Sequence, residues 1–193
     1  MNNDHTASEA RRSFLMKSST LLSAAGLSLI GGGCTYKAAK ADSNQVTQDV
    51  NILNAAIELE HEGIAAYQLG ATSGLLKPAV VEIGLIFQSH HKTHRDALVK
   101  AVETLGGKPA DAKSDDEYAN AFNASTLKNQ EDVLRLALKL EQGAANAYLG
   151  LIPSLGNDYH QIAGRMAGDE AYHAAILSNA LGLPIPRNAL IFG

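Results

Sequence analysis

The sequence predicts an all-α domain, a four-helix bundle made of two antiparallel hairpins joined by a long crossover. Three observations carry this. Apolar residues recur at spacings of three, four and seven in long segments, the period of a helix with one buried face. Hydrophobic residues reach 46% with aromatics at only 5% and alanine abundant, which suits close-packed helices better than a sheet. One stretch also occurs twice. Leu59-Glu60-His61-Glu62-Gly63-Ile64-Ala65-Ala66-Tyr67 returns as Leu140-Glu141-Gln142-Gly143-Ala144-Ala145-Asn146-Ala147-Tyr148, with Glu seven residues before Tyr in both copies. Seven residues is close to two helical turns, so each Glu shares a face with its Tyr.

The 193 residues divide into a leader, 1–41, and a domain, 42–193. In the leader, Arg11-Arg12-Ser13-Phe14-Leu15-Met16-Lys17 precedes a mildly apolar run from Leu21 to Ile30. That run is too short and too rich in Ser and Gly for a membrane span. The arginine pair followed by Phe, Leu and Lys resembles a twin-arginine export signal, which implies a periplasmic protein. Ala39-Lys40-Ala41 has the small-x-small form of a cleavage site and implies release as a domain without a transmembrane helix. The alternative is Leu29-Ile30-Gly31-Gly32-Gly33-Cys34, which resembles a degenerate lipoprotein box; a lipid anchor at Cys34 would tether the domain to the membrane. Cys34 is the sole cysteine, so no disulfide forms within one chain.

Five of the sixteen Lys/Arg and two of the twenty Asp/Glu lie in residues 1–41, leaving 11 basic against 18 acidic residues and a net charge of −7. An acidic domain with no basic run is a poor partner for nucleic acid.

The first helix is expected over 47–69, with Val50, Leu53, Ile57, Ile64 and Leu69 on its apolar stripe and Gly70 and Ser73-Gly74 ending it. The second, 79–105, opens with Pro78 and Glu82 and closes at Gly106-Gly107 and Pro109. Residues 106–126 form a long connection with a short helical turn near Asp115-Asp116-Glu117-Tyr118, long enough to let helices two and three run parallel. Helix three, 129–152, starts with Asn129 as N-cap and Asp132 in its first turn. Helix four, 158–181, ends at Leu181-Gly182-Leu183-Pro184, and the remaining tail reads as an extended strap.

Each copy of the repeat is followed by a helix bearing histidine, His91-Lys92-Thr93-His94 and Glu170-Ala171-Tyr172-His173. Glu60 to His94 is 34 residues and Glu141 to His173 is 32. Glu60, His91, His94, Glu141, Glu170 and His173 thus fall within Ala/Leu-rich helical faces, where unpaired carboxylates are costly and a pair of divalent ions would compensate them. Glu170 and His173, three apart, share a face.

At these residues the chain resembles the ferritin-like proteins, four-helix bundles with a dimetal-carboxylate site, over roughly residues 46–182. The resemblance rests on the Glu-to-Tyr repeat, on Asp169-Glu170-x-x-His173 and on the paired endings Leu105-Gly106 and Leu181-Gly182. It implies terminal carboxylate ligands at Glu60 and Glu141, a bridging carboxylate at Glu170, imidazole ligands at His94 and His173, and Tyr67 and Tyr148 hydrogen-bonded behind the ligands. The departure is His91, where the family pattern has Glu three residues before His94. It leaves three carboxylates rather than four, so that two ions, iron or manganese, or a single ion both stay open. Gln88-x-x-His91 is an alternative register, and His90 is read as a neighbour rather than a ligand. Glu58, Glu62, His61 and His160 are read as surface groups. The resemblance implies an oxidoreductase acting on oxygen or peroxide. A metal-binding protein without turnover and a structural bundle with a degenerate site are the competing readings, and a homo-oligomer stays open.

Overall fold

A computed structural model describes residues 42–192; the readings placed on the leader, including the arginine pair, the Ala39-Lys40-Ala41 site and Cys34, lie outside the described residues. The described residues are helical with no strand. Four long helices, α1 (Ser43–Thr72), α2 (Pro78–Thr104), α4 (Gln130–Leu151) and α5 (Asn157–Ala180), form two hairpins, and α3 (Asp115–Ala121) lies in the crossover between them.

Helix α1 begins at Ser43, earlier than the apolar stripe suggests, because Asp42 caps it: the Asp42 carboxylate accepts from Asn44 N at 3.1 Å. It runs through Gly70 to Thr72 and stops where Gly74 adopts a left-handed φ of 72°. Pro78, whose ring pre-sets φ and which has no N–H to leave unsatisfied, opens α2. The endings of α2 and α5 are the same device used twice. Gly106 and Gly182 take φ of 77° and 67°. Gly107 N then donates to Val102 O at 2.9 Å, and Leu183 N to Ser178 O at 3.0 Å, closing both helices.

The crossover climbs the side of α1. Asn54 anchors its start, donating to Lys108 O and accepting from Ala110 N. Helix α3 begins at a capping box in which Ser114 and Glu117 each satisfy the other's backbone N–H. Tyr118 and Phe122 then bury against Ala66, Leu69, Leu136 and Leu140. The crossover ends beside the α1–α2 turn, where Lys77 N donates to the Gln130 side chain at 3.0 Å. It has traversed the bundle, so α2 and α4 start at the same end and run parallel.

Two apolar clusters fill the interior. One contains Leu53, Ile57, Leu98, Val102, Tyr148, Leu155 and Met166. The other contains Tyr67, Phe87, Leu134, Leu138, Ala174 and Leu177. Each long helix contributes to both, and the residues between its two contributions form a polar layer across the middle of the bundle. Phe192 packs against the second cluster, while Ile185 and Leu190 of the tail are exposed. No helix among the described residues is long and apolar enough to cross a membrane.

Asp49 is a structural residue with no sequence signal of its own. It is buried on α1, and its Oδ1 accepts from Gln45 Nε2 and from Gly156 N, each at 2.8 Å, tying the start of α5 to α1. A Cβ on Gly156 would lie 2.7 Å from Asp49 Oδ2. Gly156→Ala is therefore expected to destabilise the domain by about 1–3 kcal/mol through forced displacement of that carboxylate. Gly143→Ala, inside α4 with nothing near its Cβ position, is expected to stabilise by about 0.5–1 kcal/mol. Denaturant midpoints of the two variants, moving in opposite directions, check both.

Candidate metal centre

The polar layer is where the six candidate residues meet. Glu60 comes from α1, His91 and His94 from α2, Glu141 from α4, and Glu170 and His173 from α5. None is more than 7% exposed. They group as two overlapping tetrads, Glu60–His91–His94–Glu170 and His91–Glu141–Glu170–His173, whose ligand-type atoms lie within 4.8 Å of one another. In the first, His91 Nδ1 is 2.7 Å from Glu60 Oε2 and 3.7 Å from Glu170 Oε1. His94 Nδ1 is 3.0 Å from Glu170 Oε1 and 3.6 Å from Glu60 Oε1. In the second, His91 Nε2 is 3.3 Å from Glu141 Oε1, and His173 Nδ1 is 3.3 Å from both Glu141 Oε1 and Glu170 Oε2.

These separations can be tested against a metal's needs. Bonds of about 2.1 Å at right or tetrahedral angles place neighbouring ligand atoms about 3.0–3.4 Å apart. The observed edges bracket that range. Glu170 Oε2, moreover, is buried and accepts no hydrogen bond, with the His173 ring at 3.3 Å as its charged neighbour, so it retains a capacity that a cation could use. The donor set of carboxylates and imidazoles fits a divalent transition metal.

The site has a near two-fold symmetry that follows the sequence repeat. Tyr67 donates to Glu141 and Tyr148 donates to Glu60, so each tyrosine serves the carboxylate of the other copy. Sharing a helix face with its own Glu does not decide its partner; the facing hairpin does. The outer nitrogens match as well. His94 Nε2 lies 3.1 Å from Asp169 Oδ2, and His173 Nε2 lies 2.9 Å from His90 Nδ1. His90 stands to His91 and His94 as Asp169 stands to Glu170 and His173. His90 is thus more than a neighbour: it fixes the ring of His173, together with Phe87, which stacks on that ring with centroids 4.1 Å apart. Superposing His90-His91-x-x-His94 on Asp169-Glu170-x-x-His173 in the sequence exposes that role.

Gln88 stands apart from the centre. It is buried but donates to Ile64 O and Gln68 Oε1 and accepts from Lys92, away from the carboxylates, so the Gln88-x-x-His91 register falls away. Glu58 is exposed and Glu62 half-buried at the rim. His61 and His160 are half-buried rather than free at the surface; their rings meet the backbone carbonyls of Ala110 and Leu155.

Three imidazoles balance three carboxylates. Burial pushes the His94 ring down, but its bonds to Glu170 and Glu60 outweigh burial and raise it to about 10. His91 and His173 are likewise raised against burial, His91 by Glu141 and Glu60, His173 by Glu141 and Glu170. Burial would raise Glu60 and Glu141, yet the histidines hold both below the ordinary carboxylate range. Glu170 is raised, burial prevailing. His90 is lowered by burial and by His173, which leaves its Nδ1 free to accept from His173 Nε2–H.

A ferritin-like domain family matches residues 48–183. The chain belongs to that family. Among solved structures it is similar to a conserved hypothetical protein, rv2844, from Mycobacterium tuberculosis. That match has 20% identity and a TM-score of 0.61 and covers 75% of this chain and 98% of the other. It is also similar to a ferritin-like, diiron-carboxylate protein from Bacillus anthracis str. Ames. There the identity is 18% and the TM-score 0.60, with 72% of this chain and 99% of the other covered. No curated protein matches it. At these identities the structural likenesses speak to the fold of a ferritin-like bundle.

The charge balance predicts how the metal-free chain responds to pH. The raised imidazoles contribute stability that is full below about pH 6.5 and is lost as pH rises; for His94 the loss runs up to about 10. The lowered Glu60 and Glu141 contribute stability that is full above the ordinary carboxylate range and is lost in acid; Glu170, shifted up, tempers that loss. Thermal melts of chelator-treated protein are expected to peak between about pH 4.5 and 6.5 and to fall toward pH 10. A melting temperature unchanged from pH 6.5 to 10 would show that the buried histidines are neutral.

Proposed function

We propose that the chain is an exported metal-binding protein whose buried centre takes two divalent ions, iron or manganese, and reduces oxygen or peroxide. The observation that carries this reading is the pair of tetrads sharing His91 and Glu170. Glu60 and Glu141 would be terminal ligands, His94 and His173 would bind through Nδ1, and Glu170 would serve both ions. A bound redox-active pair would supply the electrons for the oxidant and would be restored by an external reductant.

The chain's own residues do the positioning. Each tyrosine hydroxyl occupies one side of a carboxylate and orients it toward the tetrad. Asp169 and His90 hold the imidazoles by their outer nitrogens, fixing which nitrogen faces inward. Burial excludes bulk water, while His90, His94 and Asp169 also line a groove between α2 and α5, beside Thr93 and Arg165, through which a molecule the size of peroxide can approach. Export and a periplasmic location rest on the leader alone, with tethering through Cys34 as the alternative.

A second reading is metal holding without turnover. It is favoured by His91, which takes a negative charge out of the centre where a bridging carboxylate stands in the family pattern.

Elemental analysis of protein purified without chelator is expected to find close to two iron or manganese ions per chain, and the loaded protein, supplied with an external electron donor, is expected to consume peroxide or oxygen at steady state. Metal without consumption would favour the second reading. Glu141→Ala is expected to lower metal content. If it left metal content unchanged and raised stability, the centre would be a vestige, because removing one partner of a buried charge pair is otherwise destabilising.

A further inference from the structure

The two copies of the repeat are not packed alike. Aligning Glu60 with Glu141 and His94 with His173 sets Gly70 and Ala71 against Leu151 and Ile152, and Val80 and Gly84 against Tyr159 and Ala163. At one end of the bundle the larger set, Leu151, Ile152 and Tyr159, packs on the cluster around Leu53 and Val102. At the other end the smaller set leaves a cavity of about 70 Å3 among α1, α2, α4 and α5.

That cavity has nothing to offer water. Of the residues lining it only Tyr67 has a polar atom in its side chain, and the Tyr67 hydroxyl is committed to Glu141. A trapped water needs two to four polar partners; an apolar cavity without them stays dry. The cavity also abuts the centre. Phe87, which stacks on His173, lines it together with Tyr67. Past Ala66, Tyr67 and Ala137 a smaller space of about 20 Å3 reaches His91 and Glu141. Gly63 leaves room for the His91 ring there, since a Cβ on it would lie 2.7 Å from both Cε1 and Nδ1. On the outer side the lining includes Ile83, which is exposed.

We propose that this cavity holds dioxygen beside the centre. The choice of dioxygen rests on the oxidoreductase reading above; the dry cavity stands without it. Size and polarity select the occupant. A cavity of about 150 Å3 lined by Leu, Ile and Phe takes benzene or xenon. One of about 70 Å3 is too small for a ring and admits an apolar molecule of two heavy atoms. Peroxide is excluded by its hydroxyls, which would leave their hydrogen bonds to water behind and find none here. The groove lined by His90, Thr93, Arg165 and Asp169, on another face, suits it better. The two oxidants thus have separate ways to one centre.

The test starts from chelator-treated full-length chain with labelled methyl groups, read by NMR relaxation in dioxygen-saturated buffer, dioxygen being paramagnetic. Enhanced relaxation is expected at Leu134, Ala137 and Leu177, above that at Leu53 and Leu98, which are as deeply buried at the opposite end. Ala71→Ile, which copies the other half, is expected to abolish the difference; Ala137→Leu replaces it if circular dichroism shows that it does not fold. A second arm loads ferrous ion. Oxidation by dioxygen is expected to be about tenfold slower in the filled variant, where the gas must wait for the chain to open, and oxidation by hydrogen peroxide to be unchanged. Equal enhancement at both ends, or enhancement that survives filling, overturns the proposal. So does a filled variant that reacts with dioxygen as fast as the unsubstituted chain. Gas binding in the metal-free chain, with no oxidation of the loaded one by either oxidant, supports the cavity and overturns the oxidoreductase reading.

Discussion

Three carboxylates buried in the middle of a helical bundle require positive charge beside them, and the structure is arranged around that requirement. Without ions, three imidazoles supply it, each within hydrogen-bonding or ion-pairing distance of at least two of the carboxylates. The apolar clusters on either side can then close over a polar layer that would otherwise be too costly to bury. The same closeness makes the layer a competitor with itself. The histidine–carboxylate contacts that steady the metal-free state are ones a metal ion would have to replace, so stability without ions and affinity for ions draw on the same atoms.

Much of this was legible in the chain. The helical period located the four long helices, because their ends carry Pro78, Asn129, Gly106 and Gly182, residues with one physical job each, whereas the cap at Asp42 was missed and the first helix begins four residues earlier than its apolar stripe suggests. The repeat located the ligand-type residues, because a duplicated hairpin brings equivalent positions to equivalent places. What stayed hidden were relations between helices. Nothing local says that Tyr67 reaches Glu141 rather than Glu60, that Asp49 ties α1 to the start of α5, or that Gly63 makes room for a ring on α2. The role of His90 was half visible: its equivalence to Asp169 is in the spacing, but a histidine holding a histidine is not a pattern that composition announces.

The departures from symmetry are concentrated on α2. His90 and His91 stand where α5 has Asp169 and Glu170, so one half of the centre is acidic and the other imidazole-rich. Two ions placed there would meet different surroundings: His94 is backed by an exposed carboxylate, His173 by a neutral ring and the face of Phe87. A difference of that kind changes how strongly each ligand donates, and so how alike the two ions can be.

The crossed tyrosines carry a consequence for how such a chain can exist at all. Tyr67 belongs to the first hairpin and steadies a carboxylate of the second; Tyr148 does the reverse. A hairpin standing alone would leave its carboxylate and its hydroxyl facing water instead of the other hairpin's hydroxyl and carboxylate. Two copies of one hairpin, set face to face, would complete each other as these two do. The domain is a dimer written into one polypeptide, and the crossover along α1 is the tether that makes its second half always present.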